Sequence, residues 1–400
     1  MSDVAGSPPP LDPDGVPPPP SSPLASEPEA THALHHGTQA TRTYPCTRCG
    51  GELVFDIGVQ QLTCGHCGDV QELRQAQDAA LGPKHDFRQA VAEQGRRAAE
   101  AGPQLSGEKE VVCQNCGGHT TFTGTLTATR CPYCATPIQR DDVHDAPSRL
   151  PVDGVLPFSV DEKAAKAALE KWVKSRWFAP REFKTYSSAG SFASVYTAYF
   201  SYDADTTTRY RGKRGDDYTV TVGSGDNKRT ETRTRWRNVS GQVADDFADL
   251  TVLANDGLDR GHATALEPWP VDRIRPFSPE YVAGHLCRTY DQDAEACFGE
   301  AEQRMEREIE STIRRDIGGD HQRITSKKID YRNLAFAHLL LPLWLLTVIF
   351  DGRPFQVVIN GATGEVHGDR PYSKVKIAFA VLVALIVVVA AWLIYRSTGG

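Results

Sequence analysis

The sequence predicts a multidomain chain: two small β modules, each built on a cysteine quartet, an α+β domain with an antiparallel sheet, and one C-terminal transmembrane helix. Three observations lead there. Eight of the ten cysteines fall into two copies of one spacing. Strand-type alternation and helical periodicity share residues 151–372, and residues 377–395 form an uncharged apolar run. A length of 400 residues suffices for two or three domains, and a net charge of −7 argues against a chain dedicated to binding polyanions.

Residues 1–43 are Pro, Ser, Ala and Asp with almost no aromatics, a composition that cannot offset its own ordering entropy. A disordered, partly polyproline-II tail is expected, with no basic and apolar leader pattern. His32, His35 and His36 read there as solvated polar residues.

Cys46, Cys49, Cys64 and Cys67 form CxxC, fourteen residues, CxxC, and Cys113, Cys116, Cys131 and Cys134 repeat the pattern, each sulfur displaced by 67 positions. A CxxC pair bends into a knuckle that aims two thiolates at one ion, and Gly50, Gly68 and Gly117 can take the positive φ that the knuckle needs. Between knuckles, residues 52–55 and 60–63 pair as short strands about a turn at 56–58, and residues 119–123 and 125–130 do so about Gly124. Each unit, at 44–72 and 108–140, is therefore expected to be a zinc ribbon, with two Zn²⁺ ions in all. Four thiolates close the shell and leave no place for water or substrate, so the ions are structural. Redox dithiols would need a βαβ setting and disulfides an oxidising compartment. His66 and His119 stand beside complete quartets as neighbours, not ligands.

Acidic residues balance the basic ones around both units, which favours protein contacts over a phosphate footprint. The connecting segment, 73–107, reads as polar helix broken at Gly82 and Pro83.

In the α+β domain, residues 161–178 place Ala164, Ala165, Ala168, Leu169, Trp172 and Val173 on one helical face, stopped by Ala179 and Pro180. A second helix opens at Ser278 with Pro279 in its first turn, and a third covers 292–317 before Gly318 and Gly319. Cys287 and Cys297 read as buried free thiols. Segments 194–203, 206–211, 218–222, 228–239 and 242–252 read as antiparallel strands joined by Gly- and Asp-rich turns. Residues 339–350 and 354–359 form a buried hairpin about Asp351 and Gly352, followed by another turn at 360–364.

Arg229, Arg233, Arg235 and Arg237 alternate with Thr230, Thr232, Thr234 and Trp236, so one strand face is charged and the other packs. With Arg209, Arg211, Lys213 and Arg214 this is a basic concentration suited to anionic lipid, nucleic acid or an acidic partner, or else a solvated outer face.

Residues 377–395 have the length of a hydrocarbon core, with Trp392 and Tyr395 suited to one interface and Tyr372 to the other. Arg370, Lys374 and Lys376 precede the run and only Arg396 follows it, so the positive-inside rule places the N-terminus in the cytoplasm and the C-terminus outside. The expected localisation is the cell membrane, single-pass, with the bilayer as one partner.

The double ribbon, LPFSVDEKAAKAALEKW from Leu156, VYTAYFSYDADTTTRYRGKRG from Val195, LLLPLWLL from Leu339, VVINGATGEVHGDRP from Val357 and the apolar C-terminus together resemble bacterial membrane-anchored zinc-ribbon proteins. These are often labelled TFIIB-type zinc-ribbon or primosomal helicase-like proteins. The resemblance covers residues 44–400 and implies zinc at the eight cysteines, an anchored topology, an accessory role in membrane-associated complexes or envelope-stress systems, and nothing catalytic.

A helicase activity fails on chemistry, because no GxxxxGK[ST] phosphate loop occurs; HExxH and GxSxG are absent too. No enzyme is expected. The expected function is a zinc-binding, membrane-anchored adaptor working through protein contacts, with a nucleic-acid binder as the alternative.

Overall fold

In the computed structural model, residues 44–73, 80–101, 105–112, 119–122, 129–130, 137–138, 143–147, 150–175, 191–224, 228–288, 290–350, 353–369 and 373–398 are described. The N-terminal tail, Cys113, Cys116, Cys131, Cys134, Tyr372 and the helix stop at Ala179 and Pro180 lie outside them.

Four short strands build the first cysteine module: β1 (Tyr44–Pro45), β2 (Glu52–Asp56), β3 (Gln61–Cys64) and β4 (Val70–Gln71), paired in that order. Then come β5 (His85–Asp86), helix α1 (Phe87–Ala101), β6 (Leu105–Val112), β7 (His119–Phe122), β8 (Thr129–Arg130), β9 (Pro137–Ile138) and β10 (Val143–Pro147). Among the described residues of the polar segment around Gly82 and Pro83, β5 pairs with the large sheet and helix α1 follows it.

After β11 (Gly154–Val155), helix α2 (Glu162–Lys174) starts where Asp161 accepts the Ala164 N–H at 2.7 Å, and it buries Ala165, Leu169 and Val173. Two very long strands follow, β12 (Ser191–Val222) and β13 (Arg229–Leu253), paired antiparallel from Tyr199↔Leu253 to Val222↔Arg229. The turns expected near 212–217 and 240–241 do not form. Their glycines serve close approach instead: a Cβ on Gly212 would stand 2.7 Å from Arg323 O, and one on Gly241 2.7 Å from the Tyr210 hydroxyl.

Helix α3 (Arg260–Ala265), β14 (Arg275–Pro276) and β15 (Leu286–Arg288) fill the connection. The helix expected from Ser278 is one 3₁₀ turn, Pro279–Val282. Helix α4 (Ala294–Ile317) is capped by Asp293, and Cys297, Ala301, Met305, Ile309 and Ile313 are buried at three- and four-residue steps. Burying Ile309 and Ile313 against Tyr210 and Val243 contributes about 1.5–3 kcal/mol per isoleucine.

The sheet's second spine is β16 (His321–Phe350), antiparallel to β12, with β17 (Arg353–Asn360) and β18 (Val366–Gly368) added in turn. Together β13, β12, β16, β11 and β14 order a nine-stranded sheet that also takes in β5, β15, β17 and β18. The apolar run at 339–346 follows from burial on both faces. Leu339, Leu341, Leu343 and Leu345 belong to one buried cluster with Trp269 and Leu253, whereas Leu340, Trp344 and Leu346 belong to the other, with Phe158 and Tyr196.

The expectation of a transmembrane anchor is corrected. Residues Lys374–Thr398 form helix α5, yet among the described residues no helix is long and apolar enough to cross a membrane. Val381, Leu382, Leu385, Ile386 and Val389 in α5 are exposed. Among the described residues the architecture is mostly antiparallel sheet with five helices, and the expected single-pass membrane localisation is not supported by them.

Candidate metal centre

Two knuckles face each other across the β2–β3 hairpin. In the first, Gly50 has φ of 73° and its N–H returns to Cys46 O at 2.8 Å; in the second, Gly68 has φ of 72° and its N–H reaches Cys64 O at 2.9 Å. This is the left-handed conformation expected at both glycines. The folded turns bring all four Sγ atoms, of Cys46, Cys49, Cys64 and Cys67, within 4.8 Å of one another. Across the knuckles, Cys46 and Cys67 lie 3.7 Å apart, and Cys49 and Cys64 3.5 Å. Sulfurs around a tetrahedral ion with bonds of about 2.3 Å stand about 3.8 Å apart, so the four cysteines can bind one metal ion.

The surroundings suit that role. A Cβ on Gly51 would sit 3.2 Å from Cys64 Sγ and 3.3 Å from Cys49 Sγ, so only glycine lets the backbone pass the sulfurs at ordinary distance. The Gly51 N–H points at Cys49 Sγ at 3.4 Å, and Gln71 Nε2 approaches Cys46 Sγ at 3.9 Å. Backbone N–H groups of Cys67 and then His66 pull the Cys64 thiol down to about 6, so one sulfur is a ready thiolate at neutral pH. Cys49 keeps its proton: the Gly51 N–H lowers its pKa, but the hydrogen bonds to Cys67 and Cys64 outweigh that and carry it to about 12. His66 is exposed and outside the cluster. Cys46 and Cys64 are buried, Cys49 and Cys67 exposed.

The module is fastened to the large sheet by contacts that the cysteine spacing does not encode. Phe55 N–H donates to Ala283 O at 3.0 Å, its ring lies 5.4 Å from Tyr281, and Gln60 Nε2 donates to Phe158 O at 2.8 Å. Val54 packs on Gly284, whose φ is 80°; a Cβ there would meet Val54 at 2.8 Å. His285 closes the seam, stacked 4.9 Å from Phe158 with Nδ1 2.8 Å from Ser194 Oγ. The sequence signal for this seam is an apolar alternation, Leu53 and Phe55, in the first cysteine module.

Arg229, Arg233, Arg235 and Arg237 all lie on the exposed part of β13. Arg233 pairs with Glu231 at 3.1 Å and Arg237 with Asp216 at 3.6 Å, while the Arg235 guanidinium lies 5.1 Å over the Tyr218 ring. Cys287 and Cys297 are buried thiols without a disulfide, and burial pushes Cys297 up to about 12.

No family model matches the chain, and no solved structure matches it. The chain is similar to the uncharacterized protein YdjG of Bacillus subtilis (strain 168), 26 % identical over 337 residues that make up 84 % of this chain and 92 % of that protein.

Proposed function

We propose that this protein is a non-enzymatic adaptor that works through protein contacts, with zinc as the ion of the Cys46, Cys49, Cys64 and Cys67 cluster. The observation that carries the reading is the closed set of four sulfurs within 4.8 Å, set in a module locked to the sheet through Phe55. Four soft thiolates in tetrahedral spacing favour Zn²⁺ over harder ions and leave no coordination position for a reacting water. Such an ion holds a fold together. Cys113, Cys116, Cys131 and Cys134 repeat the same spacing and are assigned a second zinc on that ground.

Two measurements test this. The reduced full chain should carry two zinc ions, and Cys46→Ser/Cys49→Ser one. Affinity isolation of the tagged full chain from its own cells should recover one discrete protein in near-stoichiometric amount, and the double serine variant should lose it. Absence of such a partner, or turnover of a substrate by the zinc-loaded chain, would overturn the adaptor reading.

A further inference from the structure

Strands β12 and β13 continue as a two-stranded arm beyond the last pairing of β12 with β16, Gly215↔His321. The arm runs from Asp216↔Arg235 to Val222↔Arg229, about 23 Å at ~3.3 Å per residue. Residues directly opposite share a face, so Arg229, Glu231, Arg233, Arg235 and Arg237 stand together with Val222, Val220, Tyr218, Asp216 and Arg214. The other face carries Thr219, Thr221, Thr230, Thr232 and Trp236.

The charge on the arginine face is partly spent. Glu231 takes Arg233, and Asp216 takes Arg214 at 2.7 Å and Arg237 at 3.6 Å. Among the described residues Arg229 and Arg235 have no carboxylate partner, and the Arg235 guanidinium lies 5.1 Å from the centre of the Tyr218 ring. Two unneutralised arginines interleaved with two carboxylates are a poor footprint for a duplex, where affinity rests on many phosphate contacts. They suit a protein surface. Arginine and tyrosine are both enriched at interface hot spots, and interleaved charges of both signs set register with a complementary face.

We infer that the arginine face of this arm docks a protein partner through carboxylates on that partner's surface, with Arg229 and Arg235 as the anchoring cations. The inference rests on the adaptor reading and names the kind of partner.

The test is fluorescence anisotropy of the full, zinc-loaded chain with labelled oligoglutamate, a duplex DNA oligonucleotide and phosphatidylserine vesicles as probes. Oligoglutamate is expected to bind, to weaken as salt rises, and to lose about tenfold in affinity in Arg229→Gln/Arg235→Gln. Arg229→Lys/Arg235→Lys is expected to fall between, because lysine keeps the charge but loses the guanidinium's planar, bidentate fork. Thr232→Ala on the opposite face is expected to change nothing. Tighter binding of DNA or vesicles than of oligoglutamate, abolished by the same glutamine pair, overturns the inference in favour of that polyanion. No oligoglutamate binding, or binding equal in wild type and the glutamine pair, also overturns it while the adaptor reading stands. Failure to isolate any stoichiometric partner defeats the adaptor reading itself.

Discussion

The Phe55 ring lies 5.4 Å from that of Tyr281, and the Phe55 backbone N–H donates to Ala283 O at 3.0 Å, so the cysteine module and the nine-stranded sheet share one buried seam. The seam ties metal binding to the stability of the sheet. Phe55→Ala opens a cavity beside Tyr281 and His285 and is expected to cost about 3–5 kcal/mol, read as a lower denaturant midpoint. If module and sheet were independent, the sheet's unfolding transition would not move.

Gly51 offers a test of the metal centre that spares the ligands. An alanine Cβ would press on Cys64 Sγ at 3.2 Å and Cys49 Sγ at 3.3 Å, pushing apart two sulfurs that would hold an ion. Gly51→Ala is therefore expected to lose zinc to a competing chelator faster than wild type, with a lower thermal midpoint that excess zinc restores. Affinity should also fall with pH, since the thiolates must shed protons to bind. Equal chelator competition in the two proteins would place the ion elsewhere.

Lys84 holds the segment after the cysteine module to the sheet. Its largely buried Nζ donates to Ser201 Oγ at 2.8 Å, Asp203 at 2.6 Å and Asp249 at 2.7 Å, at the bulge where β12 shifts register. Lys84→Met leaves two facing carboxylates without their cation and is expected to cost about 2 kcal/mol, less than a fully buried pair because both carboxylates are partly exposed. Adding Asp249→Asn should restore part of the loss. Asn tolerates the φ of 54° at position 249, so the double variant tests charge without adding strain.

What the sequence disclosed follows from the range of the interactions involved. The cysteine knuckles are local, and their spacing with Gly50 and Gly68 revealed both the cluster and its backbone conformation. Helix α4 was legible from its apolar steps. The glycines misled: Gly212 and Gly241 read as turns but allow Arg323 O and the Tyr210 hydroxyl to come close across neighbouring strands, a need set by residues distant in sequence. The Phe55–Tyr281 seam left no trace beyond the alternation of Leu53 and Phe55, for the same reason. Hydropathy alone favoured a membrane anchor at 377–395, an expectation the described helices do not meet.

His285 makes the seam sensitive to acid. Burial among Phe158, Tyr196 and Phe55 lowers its pKa to about 4 from the ordinary 6.5, only partly opposed by a hydrogen bond with the Phe55 backbone. The unfolded chain therefore binds more protons than the folded chain between about pH 4 and 6.5, and stability rises with pH across that window. Above pH 6.5 the imidazole is neutral in both states and costs nothing. As pH falls to 4 the penalty grows toward about 3 kcal/mol, the worth of a shift of that size. The denaturant midpoint of wild type should drop over this range more steeply than that of His285→Gln, which keeps a polar group for Ser194 Oγ but does not titrate. Parallel pH profiles for the two proteins would show that acid acts elsewhere, and a steeper fall in His285→Gln would reverse the sign assigned to the buried imidazole.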